Sequence, residues 1–133
     1  MKITDVEIFV VDGGRRPWLF SAVRTDAGIT GYGEFGSGVA AHALVGLIED
    51  FKPHVIGQDP EAVEKLYFDL YRLMRQAPGG LVNMGIAAIE LACWDIKGKA
   101  MGVPVNNLLG GPYRDKQRVY WSHLASARAG DPT

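Results

Sequence analysis

The sequence GIAAIELACWDIKGKAMGVP, residues Gly85–Pro104, decides the fold. Its apolar residues lie around nearly the whole circumference of a helix, and a helix of that kind is buried on most sides. Gly102 is placed to cap the helix and Pro104 to stop it. Few residues follow before Thr133 that could cover it. We therefore expect the chain to be a piece of a larger protein.

Three segments before this helix are predicted to be strands. Ile3–Val11 alternates in part between apolar and polar residues, which is typical of a strand with one wet face at its start. Trp18–Thr25 is rich in aromatic and β-branched residues, and Ile29–Phe35 follows it after a hairpin turn in which Gly28 takes the left-handed conformation. The three segments predict an antiparallel meander.

Three helices are expected after the strands. Val39–Phe51 has apolar residues at helical spacing, and we expect Pro53 to end that helix. Asp59–Glu61 combines an N-cap residue, a proline and an acid, so it predicts the start of a second helix running to about Gln76. The buried helix then runs from about Asn83 to Met101. Strands followed by helices give an α+β domain.

Glycines inside these elements predict where two backbones approach each other. Gly31 and Gly33 share one face of the third predicted strand, where the missing side chains admit a close neighbour. Gly98 lies inside the buried helix, where glycine costs ~1 kcal/mol relative to alanine. We expect tight packing at all three positions.

Length and composition restrict the class of protein. A chain of 133 residues forms one domain by length, and its net charge of −1 gives no basis for binding nucleic acid or an anionic membrane. A lone cysteine, Cys93, excludes an intrachain disulfide and suits a reducing compartment. The acidic N-terminus lacks the apolar core of a signal peptide, and no apolar run is long enough to span a membrane. These features favour a cytoplasmic protein.

Two blocks of sequence resemble a known family. Val23–Glu34 resembles the second and third strands of the N-terminal capping domain of the enolase superfamily. Ala88–Ile96, followed by Pro104 and Leu108–Gly111, is similar to the last helix of that domain. Both blocks look like the branch of mandelate racemase and muconate lactonizing enzyme, and the resemblance covers nearly the whole chain.

The resemblance implies a fold and a chemistry. It implies a three-stranded meander followed by a helical bundle over residues 1–115, with 116–133 as the start of a barrel domain whose first strand is Val119–Ser122. Complete members use a general base and Mg²⁺ to remove the proton α to a carboxylate. Dehydration of an acid sugar is favoured, and racemisation is the alternative. The catalytic groups and metal ligands belong to a (β/α)₈ barrel that this chain lacks.

The resemblance also implies which residues meet the substrate. Arg15, Arg16 and Trp18 occupy a loop that folds over the barrel mouth in such enzymes, and guanidinium groups suit a carboxylate or sugar acid. Phe35 and Ser37 lie at the second specificity loop. His123 stands at the C-terminal end of the first barrel strand, where functional residues occur. Each could equally be a solvated loop residue or an ordinary connection.

One lysine pair is not carried over from the family. Lys97-Gly98-Lys99 looks like the paired-lysine motif, but that motif belongs on a barrel strand, and here it lies in the last turn of a helix. No residue of this chain is therefore predicted to be catalytic or to ligate a metal. Asp95 and Lys99 are instead expected to form an ion pair four residues apart.

Two hypotheses about partners remain open. As a capping domain, the chain would associate with the missing barrel domain or with another copy of itself, because the surface meant for the barrel is exposed. A homo-oligomer is expected. The alternative is a non-catalytic α+β module that binds a small acid or a protein partner through Arg15, Arg16 and Trp18.

Overall fold

The computed structural model describes residues 1–14, 16–37, 40–76 and 79–120. Three strands come first and helices follow, which confirms the predicted α+β class. The strands are β1 (Ile3–Asp12), β2 (Pro17–Thr25) and β3 (Thr30–Ser37); the helices are α1 (Ala41–Val55), α2 (Val63–Leu73), α3 (Gly80–Met101) and α4 (Val105–Leu108).

The sheet is an antiparallel meander in the order β1-β2-β3. Val23 on the central strand pairs with Val6 of β1 on one side and with Gly31 of β3 on the other. Gly28 has a φ of +75°, as predicted for the turn between β2 and β3. Successive side chains along each strand therefore point to opposite faces of the sheet. The helices cover the inner face, and the outer face is left uncovered.

Helix α3 packs directly on β3, and the glycines of that strand allow it. A Cβ atom added at Gly31 would lie 2.0 Å from the carbonyl oxygen of Ala92, and one at Gly33 would lie 2.8 Å from that of Ala88. Both separations are far below normal contact distance. The predicted close approach at these two glycines is confirmed.

The end of α3 also follows the prediction. Gly102 takes the left-handed conformation with a φ of +68°. The N–H of Val103 donates to the carbonyl oxygen of Gly98 at 2.9 Å, and a Cβ at Gly98 would lie 2.9 Å from the carbonyl oxygen of Val103. Gly98 is thus needed for the tight reversal after the helix.

The hydrophobic core lies between the inner face of the sheet and helices α1, α2 and α3. Helix α3 contributes more buried residues than any other element described, because it contacts the sheet and both other long helices. It is not covered all round, since Leu81, Met84 and Leu91 stay exposed. The largest fully buried side chains are Phe51, Ile3, Leu19, Ile48, Leu70, Ile86, Ile89 and Ile96.

Three predicted helix boundaries are wrong. Pro53 lies inside α1 and does not end it. A proline in the last turn removes only one backbone hydrogen bond, and the fully buried Val55 holds that turn on the core. The second helix begins at Val63 and not at Asp59, because the Asp59 carboxylate accepts the Glu61 N–H at 3.0 Å and forms a separate turn. It also ends at Leu73, before the predicted Gln76.

The predicted final strand is not formed where the structure describes it. Gln117–Tyr120 has no strand structure, and Trp121 and Ser122 lie outside the described residues. A strand needs a neighbour for its backbone hydrogen bonds, and no described residue supplies one here. The short helix α4 was not predicted. No helix in the described ranges has the length and apolar character needed to cross a lipid bilayer.

Candidate functional site

Two loops of the predicted site begin at the same end of the sheet. Trp18, near the start of β2, pairs with Val11 of β1 and with Ser37 of β3. The β1–β2 loop therefore starts on one side of Trp18, and the connection from β3 to α1 starts on the other. The two specificity loops predicted from the sequence are brought together by the sheet.

The β1–β2 loop is held in shape by contacts that the sequence reading missed. Trp18 packs closely against Gly13, where an added Cβ would lie 2.1 Å from the indole Cδ1 and 2.2 Å from Nε1. The N–H of Gly14 donates to Oδ1 of Asp12 at 2.8 Å. The Asp-Gly-Gly sequence is a turn signal that could have indicated this arrangement.

The predicted substrate-contacting residues have different surroundings. Arg16 is exposed, and Trp18 keeps 42% of its surface exposed on the outer face of the sheet. Phe35 is 5% exposed and belongs to the hydrophobic core, so the proposed site does not include its side chain. Ser37 is the last residue of β3. Arg15 and His123 lie outside the described residues.

The second half of β1 is apolar and exposed on both faces of the sheet. Phe9 and Val11 accompany Trp18 on the outer face, and Val10 lies on the inner face. Phe9 is 43% exposed and Val10 is 57% exposed. Val10 is exposed although its inner-face partner on β2, Leu19, is fully buried, so the helices cover β2 at this level and leave the second half of β1 uncovered.

An ion pair lies on the outer face nearer the middle of the sheet. Arg24 donates from Nε and Nη2 to the two carboxylate oxygens of Glu7 at 2.9 and 2.8 Å. The hydrogen bond from Arg24 lowers the pKa of Glu7, and the same pair raises the pKa of Arg24. This bidentate pair joins β1 to β2 and is remote from the loops, so it supports the sheet.

The groups that resemble catalytic residues are engaged in the fold. Lys97 donates to the carbonyl oxygen of Glu61 at 3.3 Å. Lys99 pairs with Asp95 at 2.6 Å, as predicted, and donates to the carbonyl oxygen of Thr30 at 2.8 Å. Both lysines thus lie on a helix with structural partners.

The thiol of Cys93 does not supply reactive chemistry, and the described residues include no cluster of potential metal ligands. Burial, with the nearby charges of Glu90 and Asp59, raises the pKa of the Cys93 thiol to about 12. A thiol that stays protonated is unreactive. Among the residues that the structure describes, no group of three or more His, Cys, Asp or Glu side chains is placed to hold a metal ion.

The architecture is that of an α+β domain with two loops that start at one end of its sheet. Residues 7–110 match the family described as mandelate racemase / muconate lactonizing enzyme, N-terminal domain. The chain belongs to this family, within the enolase superfamily, as its sequence resemblance predicted.

Relatives with known names are much longer than this chain. It is 39% identical over 120 residues to a D-galactonate dehydratase of Verminephrobacter eiseniae, and 42% identical over 122 residues to one of Ralstonia pickettii. Each match covers 90% of this chain and 31% of the relative. The chain thus spans about a third of the length of these enzymes.

A solved structure has the same fold. It is that of a proposed L-alanine-DL-glutamate epimerase from Burkholderia xenovorans, bound to magnesium and fumarate. The TM-score is 0.90 with 38% identity, and the match covers 96% of this chain and 32% of that one. This chain is therefore similar in fold to one third of a magnesium-binding protein.

Proposed function

We propose that this chain is the substrate-capping domain of a Mg²⁺-dependent acid-sugar dehydratase. The observation that carries the proposal is the convergence of two loops at Trp18, which pairs with Val11 on one side and Ser37 on the other. A rigid strand that presents two adjacent loops and an exposed aromatic ring is suited to close over a ligand held by another domain. Similarity to D-galactonate dehydratases indicates an acid sugar as the ligand.

The two arginines of the β1–β2 loop would bind the acid. Guanidinium groups at Arg15 and Arg16 match the bidentate geometry of a carboxylate, and the ring of Trp18 offers a flat apolar surface to the carbon chain of a sugar. The contact of Trp18 with Gly13 and the bond from Gly14 to Asp12 stiffen the base of that loop. A stiff loop base reduces the entropy lost on binding.

The reacting groups would lie in the remaining two thirds of a complete enzyme. In such an enzyme Mg²⁺ supplies positive charge that stabilises the substrate carboxylate as its α proton is removed. Loss of the β hydroxyl then gives dehydration, and return of the proton gives racemisation. The residues of this chain would bind and orient the substrate and exclude water. His123 is proposed as a further substrate contact from the barrel side.

A chimera would test the proposal. The chain replaces the equivalent domain of the Ralstonia pickettii D-galactonate dehydratase, and Mg²⁺-dependent dehydration of D-galactonate is assayed. Arg16→Ala and Trp18→Ala should each lower kcat/KM by roughly tenfold or more, because a charge-assisted hydrogen bond or a packed ring is lost. Arg75→Ala, on an exposed segment away from the loops, is the matched control.

The outcomes separate the hypotheses. An active chimera that loses activity with Arg16→Ala and Trp18→Ala, and not with Arg75→Ala, supports a capping role. A stable chimera whose kcat/KM is unchanged by all three substitutions contradicts the capping role and favours a non-catalytic module. Racemisation would be recognised as epimer formation without loss of water.

A further inference from the structure

The backbone N–H and C=O groups of β1 point alternately toward β2 and toward the opposite side of the strand, which is one edge of the sheet. The N–H of Val6 donates to the carboxylate of Asp5 at 2.8 Å and not to β2. Because the pattern repeats every second residue, Ile8 and Val10 also direct their N–H and C=O groups to that edge. These groups form a row of donors and acceptors suited to another strand.

The protein covers only the start of this edge. Ile3 accepts from the N–H of Gly57 at 2.8 Å and donates to the carbonyl oxygen of Gln58 at 2.9 Å. Within residues 1–14, 16–37, 40–76 and 79–120, no backbone partner is found for Ile8 or Val10. Among the residues that the structure describes, the second half of β1 is thus an open edge, and the helices do not cover it.

The side chains along the open edge favour pairing over solvation. Ile8–Val11 is an uninterrupted apolar tetrapeptide without the charge or proline that usually protects an edge strand. Phe9, Val10 and Val11 are all exposed. The chain carries a net charge of −1, so two copies repel each other only weakly.

We propose that the open edge of β1 pairs with the same edge of a second copy, in antiparallel orientation about a twofold axis. An antiparallel edge strand is complementary to itself, because each N–H and C=O meets its counterpart across the axis. The result is a six-stranded sheet continuous across two copies. This goes beyond the proposed capping role and does not depend on it.

The side chains select the register with the axis at Phe9. Ile8 of each copy then faces Val10 of the other, and the two Phe9 residues face each other. Every apolar side chain from Ile8 to Val10 meets an apolar partner, and such cross-strand pairs stabilise a sheet. An axis at Val10 would place Ile8 opposite Asp12, which is less favourable.

A charge on the edge tests the proposal with the 133-residue chain itself. The wild type should show a concentration-dependent dimer by light scattering coupled to size-exclusion chromatography. Val10→Lys should raise the dimer dissociation constant by about tenfold or more, since it replaces an apolar contact on both copies with a charge. Val119→Lys is the matched control, because Val119 is 85% exposed and does not belong to the three-stranded sheet. Thermal unfolding checks that each variant folds.

Cysteine crosslinking tests the register. In the proposed dimer Phe9 forms a non-hydrogen-bonded pair with its own copy, with Cα atoms ~4.5 Å apart, within reach of a disulfide. Phe9→Cys should therefore give a covalent dimer with oxidised glutathione. Residue 11 lies on the same face of β1 as residue 9 and is similarly exposed. In the proposed register, however, residue 11 of one copy lies four residues along the strand from residue 11 of the other, so Val11→Cys should not crosslink. The native Cys93 is buried and stays reduced.

Three results would overturn the proposal. The first is a wild-type chain that stays monomeric at the highest concentration reached, which leaves the edge to another occupant such as the rest of a longer chain. The second is a dimer that Val10→Lys does not weaken more than Val119→Lys does. The third is equal crosslinking of Phe9→Cys and Val11→Cys, which would show a contact without the proposed register.

Discussion

The two edges of the sheet are finished in different ways. At the β3 edge, the carboxylate of Asp95 accepts the N–H of Tyr32 at 2.9 Å, and Lys99 donates to the carbonyl oxygen of Thr30 at 2.8 Å. Helix α3 thus satisfies the edge with its own side chains. At the β1 edge, Ile3 has backbone partners in the loop after α1, and no other residue of that edge has one within the described ranges.

The difference follows from which strand can receive a helix. β3 has glycine at two of its inner-face positions, Gly31 and Gly33, so α3 approaches until its side chains reach the strand backbone. β1 has full-sized residues at the corresponding places, and its far half extends past the helices. A sheet edge is therefore protected here by small residues that admit a helix, and an edge of larger residues is left for a partner.

The largest effect is expected from filling the space under α3. Gly31→Ala places a Cβ 2.0 Å from the Ala92 carbonyl oxygen and 2.6 Å from Ile96. The backbone of a buried helix cannot move away cheaply, so the substitution should lower the free energy of unfolding by about 3 kcal/mol or more. Urea denaturation measures this.

Gly46→Ala is the matched control for that experiment. An added Cβ at Gly46 has no atom within 4 Å, and the residue lies inside α1. Alanine is the better helix former there and should raise the free energy of unfolding by ~0.5–1 kcal/mol. A destabilisation of equal size at both positions would contradict the role assigned to the close approach.

A smaller effect is expected from a hydroxyl that ties the sheet to α3. Ser21 is fully buried, and its Oγ donates to the carbonyl oxygen of Ala88 at 2.5 Å. Ser21→Ala should lower the free energy of unfolding by about 1 kcal/mol, the usual net contribution of one such bond. Thr4→Ala, at an exposed position of β1, should leave the free energy of unfolding almost unchanged. An equal loss of stability in Thr4→Ala would show that the Ser21→Ala result does not measure the buried hydrogen bond.

The regular elements were predictable because their signals are local. Alternation in Ile3–Val11 and the glycines at Gly31 and Gly33 predicted the strands and the face that admits α3. Where tertiary packing outweighs a local signal, the prediction was wrong. Pro53 lies within the last turn of α1 because buried Val55 holds that turn, and Asp59 forms its own turn before α2.

Less of the candidate site than of the fold could be predicted from the sequence. The resemblance placed both loops in the correct order, but only the register of β2 shows that Trp18 joins them. The burial of Phe35 was predictable from alternation, because Phe35 has the same parity as Gly31 and Gly33 and lies with them on the face that meets the helices. The ligands of a complete enzyme would be distant in sequence, so no local pattern here could reveal them.

A still smaller loss of stability is expected when the bonds that protect the β3 edge are removed. Asp95→Ala removes the acceptor of the Tyr32 N–H and the partner of Lys99. Because Asp95 is partly exposed, water replaces part of the lost bonding, and the free energy of unfolding should fall by ~0.5–1 kcal/mol. Hydrogen exchange at the Tyr32 amide should become faster.

Asp69→Ala is the matched control for the edge variant. Asp69 also pairs with a lysine four residues away, Lys65, on an exposed helix face, but the carboxylate contacts no strand. Its removal should leave exchange at the Tyr32 amide unchanged. Faster exchange in both variants would mean that the helix, and not the carboxylate on the edge, protects that amide.

The smallest effect concerns the ion pair that joins β1 to β2 on the uncovered face. Arg24, with a weaker contribution from Lys52, lowers the pKa of Glu7 in the folded protein. The unfolded chain therefore binds this proton more readily than the folded one does. The pair stabilises the fold above the ordinary pKa of a glutamate, and this contribution is lost as the pH falls through the lowered pKa.

Glu7→Gln isolates this contribution. Wild type should unfold at a slightly higher temperature than the variant near neutral pH, and the two melting curves should converge in acid, where Glu7 of the wild type is protonated. Added salt should narrow the neutral-pH difference, because the pair is exposed and its attraction is screened. A difference that stays constant from neutral to acid pH would show that glutamine changes packing, and that charge on the outer face contributes nothing to holding β1 on β2.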